Sequence, residues 1–337
     1  MPNYLERVDL PFYHEQIESF LPDELVDFHT HVGNIGQLKY GGGPPRTWVD
    51  YITPHFWTVA AHYRHYGIIF PGKKVTPVMF GMLSGEPDVD AVNAYAAAGA
   101  AQHGAYAFLV TRPEWPGTEL ERRLREGGFR GLKPYPTMAT GKAEGDVSIF
   151  DFLPREHMDV AQALGLPIIL HLPRPGRLAD PRNLAELHEI CATFPNLKLV
   201  VAHIGRAYCL PNAEKGLPQL RDCPGLYYDF AAAANEQVFE LALREVGPRR
   251  LIFGSDIPYV AFRARRYCEG DNYVNVVRFA SFSDAHLRVA SPQERDSITF
   301  YVYEQIAAMR RAAERVGLSR TDVEDMFRNN ALRLLHA

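Results

Sequence analysis

Residues 25–33 read LVDFHTHVG, an apolar run that ends in two histidines one residue apart. Alternate side chains of a strand share a face, so this stretch predicts a strand on which Asp27, His29 and His31 point the same way. Two imidazoles so placed at a strand tip can grip one metal ion. A bare HxH pair can equally be a polar strand end satisfied by backbone groups, so its meaning depends on context.

Outward from this stretch the chain alternates between short apolar runs and amphipathic segments of helical spacing. The runs fall at 25–28, 75–83, 105–110, 131–134, 167–172, 197–202, 226–230 and 250–254, with helix-like segments at 88–104, 118–128, 156–165, 183–194 and 235–247. Continuous apolar strands alternating with helices indicate a parallel sheet covered on both faces. Eight such units predict a single (β/α)8 barrel, with an open doubly wound sheet as the alternative. Residues 1–24 precede the barrel, and the core runs from about 25 to 256. Long connections follow strand 1 (33–74, with GGGPP and many aromatics) and strand 8 (257–292). Connections of this length usually carry lids or binding loops. No repeat or linker marks a boundary, so residues 1–337 are expected to form one domain, closed by C-terminal helices.

Context for the histidine pair comes from the other runs. His171 ends LPIILH, His203 ends LKLVVAH and Asp256 follows RLIFGSD, which puts them at the tips of strands 5, 6 and 8. In this barrel, catalytic groups converge from the C-terminal ends of several strands. Imidazoles plus one carboxylate suit Zn²⁺ and first-row neighbours such as Mn²⁺, whereas Mg²⁺ or Ca²⁺ would want mostly oxygen.

Taken together, DFHTH, GFRGLKPYP, LHLP, VVAHIGR, IFGSDIP and RNNALRLLH resemble the amidohydrolase superfamily. The closest likeness is to its amidohydrolase-related branch of lactone hydrolases and aminocarboxymuconate semialdehyde decarboxylase-like enzymes. The resemblance runs from about residue 25 to the C-terminus. It implies one divalent ion, Zn²⁺ being expected and Mn²⁺ the alternative, held by His29, His31, His171 and Asp256. His203 is then the catalytic histidine or one that supports the ligands from behind. Lys133 ends strand 4 and is ambiguous: it binds a substrate carboxylate in a mononuclear site, or is carbamylated and bridges two metals with His203 in a binuclear one. The implied activity is hydrolysis of a small carboxylated lactone, amide or ester. Asp256 would relay the proton of a metal-activated water, and His203 would polarise the carbonyl or steady the oxyanion. Non-oxidative decarboxylation of a small carboxylic acid is the second reading, and an inactive barrel serving as a binding protein the third.

The remaining signals are weaker. GIIFPGKK (67–74) nearly matches a phosphate loop, but Lys74 stands where Ser or Thr should meet Mg²⁺, and a strand follows instead of a helix. Arg64, Arg112, Arg206 and Arg263 (the last within a cluster with Arg265 and Arg266) fall on the active-site side of the predicted barrel. Arginine forks suit carboxylates, so these are the candidate substrate-binding residues, as against merely solvated ones. Phe56, Trp48, Trp57 and Tyr259 are candidates for a lid or for core packing. Composition is that of an ordinary globular chain: 47% hydrophobic, 23% charged, net charge −4. The basic surplus of a dedicated nucleic-acid binder is missing, and no apolar run reaches the ~18–20 residues that span a bilayer. The first residues, MPNYLERVDLPFYHEQ, lack the apolar core of a secretory leader. The four cysteines form no CxxC pair, so neither a disulfide framework nor a zinc ribbon is expected. The partner expected is a small acidic substrate, with no nucleic acid and no membrane; a homo-oligomer is compatible with the sequence. A cytoplasmic location is expected.

Overall fold

The computed structural model describes residues 3–34, 38–39, 47–52, 54, 56–83 and 86–336. Eight parallel strands occupy the predicted apolar runs: β1 (Glu24–Val32), β2 (Lys74–Gly81), β3 (Tyr106–Ala107 and Leu109–Val110), β4 (Leu132–Lys133), β5 (Pro167–Leu170), β6 (Lys198–Val201), β7 (Leu226–Asp229) and β8 (Leu251–Ile252). The ladder runs β1–β2–β3 and then from β3 through to β8 in order. Phe108 joins the two halves of β3, its N–H donating to Met79 O (3.0 Å) while the Leu109 N–H donates to Gly131 O (2.9 Å). At the other seam, Phe28 N donates to Phe253 O (2.9 Å) and Asp256 N to His29 O (2.8 Å). Hydrogen bonds therefore pass around the whole ring, and the fold is the (β/α)8 barrel.

The helices that cover this ring begin and end on local signals. Helix α1 (Val59–Ile69) is capped by Thr58. Helix α2 (Val89–His103) starts at Asp88, whose carboxylate accepts from Ala91 N, and ends at Gly104 with φ +62°. Helix α3 (Pro181–Thr193) has Asp180 as its cap and Pro at its first position, where no backbone donor is needed. Inside the ring, Val26, Phe28, Val78, Phe108, Ile169, Val200 and Ile252 form the apolar plug. Leu25, Met79, Leu109, Leu132 and Leu199 face the helices.

One residue of β1 departs from simple alternation. Between Asp27 and Thr30 the register against β2 shifts, with three steps on β1 matching two from Pro77 to Met79. This bulge swaps the faces of the strand. Val26 and Phe28 point into the barrel before it, and His29 and His31 point into the barrel mouth after it. Asp27 is left outside, accepting a hydrogen bond from Tyr66 Oη of α1 (2.8 Å). The expectation that Asp27 shares a face with the two histidines is thus corrected.

The predicted long connection after strand 8 is largely a small sheet. Strand β9 (Ala264–Glu269) pairs antiparallel with β10 (Asn272–Val277), and β11 (Leu287–Val289) runs parallel to β10. The GGGPP part of the connection after strand 1 lies outside the described residues. Cys268 of β9 is disulfide-bonded to Cys209 in the segment after β6, one bridge where no disulfide framework was expected. Two cysteines 59 residues apart, in runs with no pairing motif, leave no trace in sequence spacing. Among the described residues, no helix is long and apolar enough to cross a membrane. Thiol titration of the unfolded, unreduced protein should find two thiols, from Cys191 and Cys223, rising to four on reduction. Four thiols before reduction would contradict the pairing.

Candidate active site

The strand tips open into a cavity of about 610 Å³. His29, His31, Lys133, His171, His203 and Asp256 all line it, so every strand-tip residue singled out from the sequence reaches one place. Among the described residues two groups offer ligand atoms within 4.8 Å of one another, His29–His31–Asp256 and His29–His203–Asp229, and the first is the one whose atoms open on the cavity. His31 Nε2 lies 3.1 Å and His29 Nε2 3.5 Å from Asp256 Oδ1. Gly254 makes this approach feasible, since a Cβ there would sit 2.7 Å from His29 Cβ.

The outer nitrogen of each ring is tied to the fold, and this fixes the tautomers. His203 Nδ1 is 3.0 Å from Ala231 O, a carbonyl that can only accept, so Nδ1 carries the proton. His31 Nδ1 is 3.0 Å from Tyr135 Oη, whose own proton is directed at Gly81 O (3.0 Å), so His31 Nδ1 is again the donor. His29 Nδ1 is 2.9 Å from Asp229 Oδ2. Three imidazoles therefore turn Nε2 toward the cavity, and at His31 this atom lies within hydrogen-bond distance of Asp256 Oδ1 (3.1 Å), so that a proton between them stands where a cation would. Lys133 Nζ lies 3.4 Å from His29 Nε2, consistent with a lone pair there. Two bare nitrogens facing a carboxylate oxygen repel unless they share a proton or a cation, so this donor set fits a divalent ion.

Burial shapes the protonation of these groups. It holds His29, His31 and His171 well below the ordinary imidazole value, reinforced by the positive charge of Lys133 and, at His171, first by Arg206. His203 is lowered to about 4 by burial, against the pull of Asp256. Asp256 is pushed up to about 6 by burial, opposed by His203 and Lys133. Lys133 is pressed down to about 8 by burial, opposed by Asp229 and Asp256.

Asp229, at the end of β7, is the group that sequence reading missed. It is fully buried and accepts from the His203 N–H (2.8 Å) and the Ala231 N–H (3.1 Å) as well as from His29. The signal was present: like Asp256 it ends an apolar run, LYYD. His171 also lines the cavity, its ring 5.4 Å from that of His203, and falls outside the trio of His29, His31 and Asp256.

The cationic candidates separate cleanly. Arg206 lines the cavity, anchored to Leu172 O (3.3 Å). Arg266 also lines it, bonded to Asn275 Oδ1 (2.8 Å) and Ala232 O and stacked on Tyr208 (4.7 Å) and Tyr273 (4.6 Å). Arg177, unforeseen from the sequence, stacks on the same two rings. Burial, with Arg206 and Arg266 nearby, holds it below the ordinary guanidinium value. By contrast, Arg64 is exposed on α1, Arg112 pairs with Glu114 (3.5 Å), and Arg263 is bound to Asp9 (2.6 Å) in the N-terminal segment. None of these three lines the cavity. Trp48 and Tyr259 form part of its wall, whereas Trp57 donates to His62 Nδ1 (3.1 Å) and Phe56 is exposed.

A family model described as amidohydrolase matches residues 26–337, and no curated protein matches the chain. Among solved structures, an amidohydrolase from Burkholderia multivorans with bound zinc is similar (TM-score 0.60, 17% identity, 92% of this chain and 98% of that one covered). So is a probable 2-pyrone-4,6-dicarboxylic acid hydrolase from Acinetobacter baumannii with bound citric acid (0.56, 14%, 93% and 99%). A third is a dihydroxybenzoic acid decarboxylase from Polaromonas sp. JS666 with bound manganese and 2-nitroresorcinol (0.52, 16%, 93% and 97%). At these identities the likeness is one of fold.

Asp27 supports the site from behind, since its Oδ1 accepts from Ser255 N (2.7 Å) and His29 N (3.4 Å), one on each side of the seam. Asp27→Ala leaves buried donors unmatched and should lower the unfolding free energy by about 2–4 kcal/mol, read from the urea midpoint. A loss below about 0.5 kcal/mol would contradict this bracing role.

Proposed function

Because the chain belongs to the amidohydrolase family, we propose that this enzyme is a metal-dependent hydrolase of a small acidic lactone, amide or ester. The observation that carries the reading is the convergence of His29 Nε2, His31 Nε2 and Asp256 Oδ1 beneath a rim bearing Arg206 and Arg266. His29, His31 and Asp256 would hold one divalent ion, with His171 as the fourth ligand. When bound, the ion supplies Lewis acidity to a substrate oxygen and makes a water nucleophilic near neutral pH.

The side chains divide the remaining work. Arg206 and Arg266 suit a substrate carboxylate, and Tyr208 and Tyr273 a flat substrate body. Lys133 stands ready to pair with a second anionic oxygen in the mononuclear form of the site. Asp256 would take the proton of the attacking water and return it to the leaving oxygen or nitrogen. His203 is held by Ala231 O with its proton on Nδ1, so while neutral it accepts at Nε2. Only once protonated does Nε2–H become a donor that steadies an oxyanion.

Decarboxylation remains the second reading, because the same cations and metal site would serve an aromatic or unsaturated acid, and one similar structure is a decarboxylase. A panel of acidic sugar lactones, pyrone carboxylates and hydroxybenzoates in ¹⁸O-water separates the two. Label entering a product carboxylate supports hydrolysis; CO₂ release without label would replace it with the second reading.

Elemental analysis of protein purified without chelator should give close to one divalent ion per chain. His31→Ala and Asp256→Ala should lose the ion, whereas His203→Ala should keep it and lose about 10²–10⁴ in rate. Loss of the ion in His203→Ala, or two ions per chain, would overturn the mononuclear assignment.

A further inference from the structure

Asp229 faces Nδ1 of His29, the ring nitrogen turned away from Asp256, and like Asp27 it accepts three hydrogen bonds. It is fully buried, and three N–H groups from three different elements meet on it. The backbone N–H groups of His203 and Ala231 occupy Oδ1, and Oδ2 is left for His29 Nδ1. A carboxylate only accepts, so the His29 proton is drawn to Nδ1 and its Nε2 is bare.

The same residue also holds a strained turn. His203, Ile204 and Arg206 all have left-handed backbones (φ 57°, 49° and 61°), a conformation disfavoured for residues that carry a Cβ. Gly205 (φ 64°) continues the run and bonds back to Ala202 O (2.9 Å). The hydrogen bond from His203 N to Asp229 anchors the start of this turn, on which both His203 and Arg206 are carried.

We infer that Asp229 is a positioning residue: it sets the His29 tautomer that exposes Nε2, and it locks the turn presenting His203. The inference rests on the proposal that His29 is a metal ligand. Asp229 is assigned this role rather than that of a ligand because its Oδ2 faces Nδ1 of His29, the nitrogen turned away from His31 and Asp256.

Asp229→Asn distinguishes positioning from mere packing, since the two side chains have the same shape. The Asn oxygen can still serve the backbone N–H groups. Its amide then faces His29 Nδ1 as a donor, which drives the ring proton to Nε2, on the Asp256 side. Zn²⁺ affinity, measured by competition with a chromophoric chelator, should fall about 10–100-fold, while the thermal midpoint changes little. Unchanged Zn²⁺ affinity in a folded Asp229→Asn variant would overturn the inference.

A measurement on the wild-type chain covers the case in which that variant fails to fold. Long-range ¹H–¹⁵N spectra of histidine-labelled, metal-free protein, with His29 assigned by His29→Asn, should show the proton on Nδ1. A proton on Nε2 would overturn the inference by itself. Failure of the wild-type chain to take up Zn²⁺ would instead refute the metal reading, and the tautomer measurement would still decide the role of Asp229.

Discussion

Three lone-pair atoms pressed together in a buried pocket are the constraint on which the site depends. His29 Nε2 and His31 Nε2 face the same oxygen of Asp256 at 3.5 and 3.1 Å, and neither ring can turn away. Rotation would sacrifice the bond to Asp229 or to Tyr135, each formed where water cannot compensate. Such a cluster is unfavourable on its own and becomes favourable when a cation is shared among its members. The lifted titration of Asp256 and the lowered titration of the histidines are the electrostatic expression of the same burial.

The barrel tolerates this because its strain is distributed among well-braced elements. The bulge in β1 turns two histidines inward and sends Asp27 outward. There Asp27 ties the β1 and β8 backbones together and is itself bonded by α1. Asp256 (φ 63°) and the His203 turn are left-handed in a fold that otherwise confines most such angles to glycine, and both carry groups that face the cavity. Strain concentrated at a site and supported from around it is the usual signature of function. The wall above is built differently, from arginines stacked on Tyr208 and Tyr273 and from the small sheet that the Cys209–Cys268 bond fastens to the segment after β6.

Much of this was legible in the sequence, for a simple reason. Strands buried on both faces must be apolar, so any His, Lys or Asp at the end of such a run stands out. His29, His31, His171, His203 and Asp256 were found that way and Lys133 through the family resemblance, and the cavity gathers all six. Asp229 follows the same rule, but a lone Asp before a turn looks like ordinary turn chemistry. The facing of Asp27 was misread because a bulge changes parity without changing composition. The arginines failed differently. RARR reads as one cationic patch, yet Arg263 is drawn to buried Asp9 while Arg266, in β9, reaches the cavity. Which arginine goes where depends on a contact with the N-terminus and on a sheet that pattern reading took for a loop.

The central claim is that Nε2 of His29, Nε2 of His31 and the Asp256 carboxylate form one seat for one divalent ion. Anomalous diffraction at the zinc edge, from crystals grown with Zn²⁺, tests it directly. The account predicts a single strong peak per chain, bonded to those three atoms and not to Asp229. A peak on the Nδ1 side of His29, between Asp229 and His203, would contradict it, as would no peak in the barrel mouth.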